Sequence, residues 1–191
     1  MNAFAWTGSI LALLTYFPLW VQIGRKSIKQ NLLTWALWAI LDIIVMTSII
    51  AEKGNYLLPV AYTIGSAVTV FVIFKSGNKS SWSWFETLII TLVVTCVVIW
   101  YTSGSKAATV ASAMAMVIAS VPQTVDAWKK PHDMPVLVYF SCFIANCLSV
   151  AGGKNWSIEE RFYPVVVTII CFVIFVISAR KFWLKPEPTT T

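Results

Sequence analysis

Long apolar runs alternate with short polar breaks along nearly the whole chain. Seven runs stand out, at 3–23, 32–51, 56–74, 82–101, 107–128, 135–151 and 163–179. A bilayer core of about 30 Å needs roughly 20 helical residues to cross. These runs are continuously apolar, whereas strands of a membrane barrel alternate and are about 10 residues long. The pattern therefore predicts an all-α membrane protein with seven transmembrane helices. The fourth run opens on Trp82-Ser83-Trp84 and closes on Trp100-Tyr101, which puts aromatic rings at both headgroup levels. The sixth is short and carries Asn146 inside it. The first has no positive charge before it and no small-residue cleavage site after it, so it reads as a retained span.

Composition agrees with the pattern. The chain is 58% hydrophobic and 12% charged, with a mean hydropathy of +0.77, against about 25% charged in an ordinary soluble domain. That excludes a soluble enzyme, a disordered chain and a nucleic-acid-binding domain. The positive balance does refine the picture, because its residues cluster in the breaks. Arg25, Lys26, Lys29, Lys75, Lys79, Lys129, Lys130, Arg180, Lys181 and Lys185 fall on one side of the membrane. Lys53, Lys106, Lys154 and Arg161 fall on the other. The bias predicts an integral protein of a plasma, inner or organelle membrane, lodged in lipid, with the N-terminus outside and the C-terminus cytoplasmic. The tail 184–191 is polar and proline-rich, and is expected to be disordered.

The apolar runs also repeat. An offset of 104 residues carries Pro18 onto Pro122, Arg25-Lys26 onto Lys129-Lys130, Trp35 onto Tyr139 and Asp42 onto Asn146. An offset of 105 carries Pro59 onto Pro164 and Thr63 onto Thr168. Two copies of a three-helix unit are expected, over 1–75 and 106–183, with a linker helix over 76–105. Corresponding helices are four spans apart, so the copies run parallel, related by an axis along the membrane normal. That 3+1+3 arrangement belongs to one class of secondary transporter, with its binding site near the midplane between repeats.

Val121-Pro122-Gln123, followed by Lys129-Lys130-Pro131 and an aromatic-rich span, resembles the PQ-loop repeat. Pro18, Lys26-Ser27, Leu32-Leu33-Thr34 and Trp35 to Trp38 resemble the other copy, although Leu19 stands where its glutamine would be. The likeness covers about residues 3–180. The family includes cystinosin-like amino-acid exporters, the SWEET sugar transporters and half-size bacterial relatives. The resemblance implies alternating access between two repeats, with Pro18 and Pro122 as hinges near a cytoplasmic gate.

The residues give chemistry to that outline. Proline inside a helix removes one N–H and displaces the carbonyl four residues back. Those carbonyls belong to Leu14 and Ile118. Gln123 is placed to partner the second, and Gln22 lies one turn beyond Pro18. Asp42 stands ten residues into the second run, about 15 Å deep at 1.5 Å per residue. An ionised Asp there costs about 2.5–3.5 kcal/mol, so it has reason to hold a proton for part of a cycle. Thr34, Trp38 and Asp42 recur every four residues on one helical face, with Trp35 beside them. This face is expected to line a polar cavity, joined by Tyr139, Asn146, Tyr62, Thr63, Ser66 and Thr168. Asp126 is a candidate to pair with Lys129 or Lys130 at the cytoplasmic rim. The stripe Ala107, Ala111, Ala115, Ala119 suits close helix packing.

The predicted function is secondary transport of a small polar solute, amino-acid-like or cationic, with Asp42 as a site of proton coupling. Neither 56–74 nor the core of 163–179 carries the Asn-Trp pair typical of the sugar transporters, which sets a SWEET-type facilitator second. A non-transporting receptor or sorting protein that captures carboxylates would call for an Arg or Lys within the spans, where there is none. A retinal protein would need a lysine in mid-span 163–179. The four cysteines lie inside spans without metal-type spacing, and the one histidine, His132, lies in a break. No metal, cofactor or catalytic residue is expected, and the chain is not expected to be an enzyme.

Overall fold

The computed structural model describes residues 2–26, 28, 30, 32–77 and 84–183. Expectations for Trp82, Ser83, Ser27, Lys29, Lys79 and the tail 184–191 lie outside the described residues. Eight α-helices account for the seven runs. They are α1 (Ala3–Gly24), α2 (Leu32–Ala51), α3 (Leu57–Lys75), α4 (Trp84–Ser103), α5 (Ser105–Ala119), α6 (Val121–Lys129), α7 (Val136–Gly152) and α8 (Tyr163–Ala179). No strand occurs among the described residues. Six of the described helical stretches are long and apolar enough to cross a membrane, and Val136–Gly152 is a shorter apolar helix.

The fifth run is interrupted once, at Ser120, which separates α5 from α6 within one apolar stretch, Ser105–Lys129. Pro122 has no N–H for the Ile118 carbonyl. The chain turns at Ser120, whose hydroxyl donates to the Val117 carbonyl at 2.7 Å. The Thr124 hydroxyl then donates to the Ser120 carbonyl at 3.0 Å. Pro122 is therefore the second residue of α6, in its first turn. Pro18 has the opposite setting, since α1 runs unbroken through it. The seventh run extends further than its hydropathy suggested. A π-helical turn, Ile158–Phe162, leads directly into α8, so Tyr163 lies about one turn inside a longer span.

α3 packs against both α1 and α2, and α8 packs against α7 and the α5–α6 pair. Across the bundle, α1 lies along α7 and α2 along α5, while α4 covers α5 and the edge of α2. Glycines set the closest approach. A Cβ on Gly8 would stand 2.6 Å from the Ala145 carbonyl oxygen, and one on Gly152 would stand 2.6 Å from the Ala5 nitrogen. Contact of this kind gives helices van der Waals attraction where lipid removes the hydrophobic drive.

One core joins Ala12, Ile23, Val45, Leu58, Ala145 and Tyr163 across five helices, and a second joins α2, α4 and α5 around Leu41, Ile89, Cys96 and Ala115. The outward faces stay apolar, with Phe17, Phe71, Phe74, Val98 and Ile169 all exposed. A water-soluble monomer rarely shows so much exposed apolar surface. The arrangement is compatible with an integral membrane helical bundle.

Candidate functional site

The face of α2 predicted from its four-residue spacing does line a cavity. Thr34, Trp35, Trp38 and Asp42 border a space of about 950 Å³ between the two halves of the bundle. Solute pockets typically measure roughly 300–1,000 Å³. Ile28, Gln30, Lys130, Met134 and Pro135 mark its mouth, at the end of the bundle rich in Lys and Arg. No lining residue comes from the connections at the opposite end.

Asp42 forms part of the floor and is only 3% exposed. Tyr163 on α8 donates its hydroxyl to Asp42 Oδ1 at 3.0 Å. Ser66 on α3 lies 3.0 Å from Oδ2 and 2.8 Å from the Tyr62 carbonyl oxygen. A hydroxyl has one proton and two lone pairs. Ser66 can therefore donate to a charged Asp42. It can equally accept from a protonated Asp42 while donating to the Tyr62 carbonyl. Both protonation states have a hydrogen-bonded arrangement without any helix moving.

Aromatic rings form the wall. Trp38 and Trp35 have centroids 5.3 Å apart, Trp35 and Tyr16 6.3 Å, Tyr16 and Tyr62 6.1 Å, and Tyr62 and Tyr163 6.4 Å. Gly65 makes room for this ladder, because a Cβ there would overlap the Tyr16 ring. Nearer the mouth, the Gln123 amide donates to the Tyr139 hydroxyl at 2.7 Å. The glutamine thus bonds Tyr139 on α7, where it had been expected to partner the Ile118 carbonyl. Thr34 donates to Glu86 at 3.4 Å, and Glu86 is buried in the cavity wall.

Other expected residues stand apart from the cavity. Asn146 is fully buried and donates to the Tyr62 hydroxyl at 2.5 Å and to the Cys142 carbonyl at 2.7 Å. Tyr62 and Cys142 line the cavity, and Asn146 lies behind them. Thr168 donates to the Pro164 carbonyl at 2.6 Å, and the Thr63 hydroxyl is buried without a partner. Neither borders the cavity, nor do Pro18 and Gln22, whereas Pro122, Gln123 and Asp126 do. Asp126 is exposed at the mouth, and the ion pairs among the described residues do not include it. The expected latch to Lys129 or Lys130 is not formed.

The far end of the cavity is shut. Lys53 takes a left-handed φ of 55°, which turns the chain so that the Gly54 N–H donates to the Ile49 carbonyl at 3.0 Å. Gly54 then presses against Glu159, where a Cβ would overlap the Glu159 backbone. The Asn55 N–H donates to the Glu159 carbonyl at 3.0 Å, and its amide donates to the Ser149 carbonyl at 3.3 Å. Lys106 lies between Glu52 at 3.8 Å and Glu159 at 3.6 Å.

No family model, curated protein or solved structure matches the chain. The chemistry of the site is that of a one-sided vestibule. Its floor can hold a proton on Asp42 and its wall can stack on a flat or apolar solute. The described residues contain no grouping of His, Cys, Asp and Glu able to hold a metal ion.

Tyr16, Tyr163 and Glu86 were not expected from the sequence. Tyr16 is one more aromatic residue in an apolar run until Gly65, 49 residues later, is seen to face it. Tyr163 looked like the first residue of a span. The π-helical turn before it had no hydropathy signal, and that turn sets the depth from which its hydroxyl reaches Asp42. Glu86 was readable as the one acid in the first turn of α4, but nothing in the sequence placed it opposite Thr34.

Proposed function

We propose that the chain is a secondary transporter of a small polar solute, working by alternating access between two parallel three-helix repeats. The observation that carries this reading is the pairing of one open vestibule, floored by Asp42, with a sealed opposite end. Asn55 and Glu159, which meet in that seal, are themselves 104 residues apart. Two residues related by a twofold repeat touch only near its axis, so this contact supports an axis running along the bundle.

Helix pairing supports the same 3+1+3 division, with α4 as linker. The contacts of α3 with α1 and α2 correspond to those of α8 with α5–α6 and α7, and α1 on α7 corresponds to α2 on α5. The floor follows suit. Ser66 bonds Asp42 at 3.0 Å, and the residues at the matching offsets, Cys171 and Asn146, lie 4.0 Å apart. These features fit the PQ-loop resemblance. With the Lys- and Arg-rich end in the cytoplasm, this state faces inward.

Asp42 is the group through which a proton would be coupled. The titratable side chains facing it are the phenols of Tyr16 on α1 and Tyr163 on α8, which are neutral near physiological pH. At the floor, as distinct from Glu86 and Asp126 nearer the mouth, a proton gradient would therefore act on Asp42. The test is uptake of amino acids and small amines into vesicles holding the purified chain, with and without a pH gradient. Wild-type uptake should respond to the gradient, and Asp42→Asn should fold yet lose that response. A full pH response in the variant would end the coupling role. The ring-lined wall also suits a sugar facilitator, for which glucose uptake would be indifferent to the gradient in both proteins.

A further inference from the structure

The vestibule has a chemical bias. We infer that it selects an organic cation without a carboxylate, with the cationic group toward Asp42 and an apolar or aromatic body along the ring ladder. This deepens the transporter reading and rests on it.

The first support is the state of Asp42. Its two oxygens meet neutral hydroxyls of Ser66 and Tyr163. An ionised carboxylate offers about four lone-pair sites, so two such bonds leave acceptor capacity for a donor on the solute. The ion pairs among the described residues are both made by Lys106 at the sealed end, so no basic side chain neutralises Asp42. A buried charge that the chain does not pair is relieved either by a proton or by a ligand of opposite sign, so a cation at Asp42 takes the proton's place.

The second support is the ladder itself. Five rings run in sequence, Trp38, Trp35, Tyr16, Tyr62 and Tyr163, with centroids 5.3–6.4 Å apart. The last of them hydrogen-bonds Asp42. Aromatic faces carry partial negative charge and attract alkylammonium and guanidinium groups. The same faces repel a carboxylate.

The third support is where positive charge is missing. Among the described lining residues Lys130 is the one cation, and it follows α6 at the mouth. Asp42 is ten residues beyond Leu32, the first residue of α2 at that end, or about 15 Å at 1.5 Å per residue. An α-amino acid cannot reach from one to the other. With its ammonium on Asp42, its carboxylate would be left among ring faces beside a second carboxylate. An amine without that group avoids the conflict. The Trp38 indole N–H, buried with no partner, adds a place for one acceptor atom on the solute.

Phenethylammonium and phenylalanine share a ring and an amine and differ by one carboxylate, so they make the decisive pair of probes. With purified full-length protein, phenethylammonium should bind at least about tenfold more tightly than phenylalanine, a gap of roughly 1.4 kcal/mol. Choline and N-methylpyridinium should also bind, and glucose should not. Asp42→Asn should weaken phenethylammonium by about tenfold or more, and Trp35→Leu should weaken it by severalfold. Phenylalanine binding as tightly as phenethylammonium, or no binding of phenethylammonium, overturns the inference. The wild-type comparison needs no variant, so a misfolded mutant leaves it intact. Flux into vesicles separates the two readings. Phenethylammonium that binds but does not cross ends the transporter reading and keeps the cation site. Phenylalanine or glucose that crosses while the amines do not ends the cation site and keeps the transporter.

Discussion

The two ends of this bundle differ in how far they are closed: one is a vestibule and the other is packed shut. At the sealed end the α2–α3 connection meets the segment before α8 through main chain. The Asn55 N–H reaches the Glu159 carbonyl at 3.0 Å, and Gly54 lies flat against the same residue. At the open end the vestibule has its mouth, and Glu86, Asp126 and Lys130 border it. One bond there, Gln123 to Tyr139, joins α6 to α7, both in the C-terminal half. The sealed end is thus closed by main-chain contacts between halves, whereas the vestibule stays open beside the side-chain packing of Leu37 with Ala119 and the Thr34–Glu86 bond. If the halves rock, the bonds that must break are those of the seal.

The largest test of that contrast is Gly54→Val. Its side chain would overlap the Glu159 backbone, which cannot yield as a flexible side chain can. Forcing bulk into a packed contact costs about 1–3 kcal/mol, and here the cost falls on the closed state. The variant should let water in from the sealed side. With Cys96, Cys147 and Cys171 replaced by alanine, Cys142 on the cavity wall becomes the reporter. A thiol reagent applied from the sealed side should label it several times faster than in the same background with Gly54 intact. Equal rates would mean that Gly54 does not hold the seal. Asn55→Ala is a milder break, since it removes the amide bond to the Ser149 carbonyl and keeps the backbone bond to Glu159. One hydrogen bond is worth about 0.5–1.5 kcal/mol. Labelling from the sealed side should rise, but less than for Gly54→Val.

This contrast also explains what the sequence made visible. Membrane helices are legible because each must carry its own apolar run, and α2 and α8 fall at their expected residues. The Thr34–Trp38–Asp42 face was legible because helical periodicity fixes it within one element. The break at Ser120 had a visible cause in Pro122, but not a visible form, because Pro18 leaves α1 continuous. The seal was not legible. It rests chiefly on a glycine, a backbone N–H and a carbonyl, with the Asn55 amide and Lys106 beside them, and main-chain contacts leave little imprint on residue type. Thr63 and Thr168 were expected on the cavity wall as polar residues within their spans. A polar residue in an apolar run says nothing about which way its side chain turns. Thr168 spends its hydroxyl on the Pro164 carbonyl in its own helix.

At the open end, Tyr139→Phe removes the hydroxyl that accepts from Gln123. The loss should be about 0.5–1 kcal/mol of thermal stability. Because that bond lies within one half, labelling of Cys142 from the sealed side should stay at its parent rate. A Tyr139→Phe variant that opened the sealed end would show the two ends to be coupled through α7 more tightly than their contacts imply.

Lys106→Met is the smallest perturbation and the most specific to mechanism. Lys106 spans Glu52, at the end of α2, and Glu159, in the turn before α8, at 3.8 and 3.6 Å. Its side chain is 53% exposed, and exposed ion pairs contribute about 0–1 kcal/mol. Global stability should hardly move. The pairs nevertheless tie Glu52 and Glu159, acids from the two halves, through one ammonium. Removing it leaves like charges facing each other at the seam. Salt offers the control, because exposed charges more than about 10 Å apart are screened at 0.1 M, and nearer ones progressively as salt rises. Labelling of Cys142 from the sealed side should rise modestly in Lys106→Met at low salt and return toward the parent rate at high salt. A salt-independent rise would point to lost packing by the lysine stem, and no rise at all would leave the seal to its backbone contacts alone.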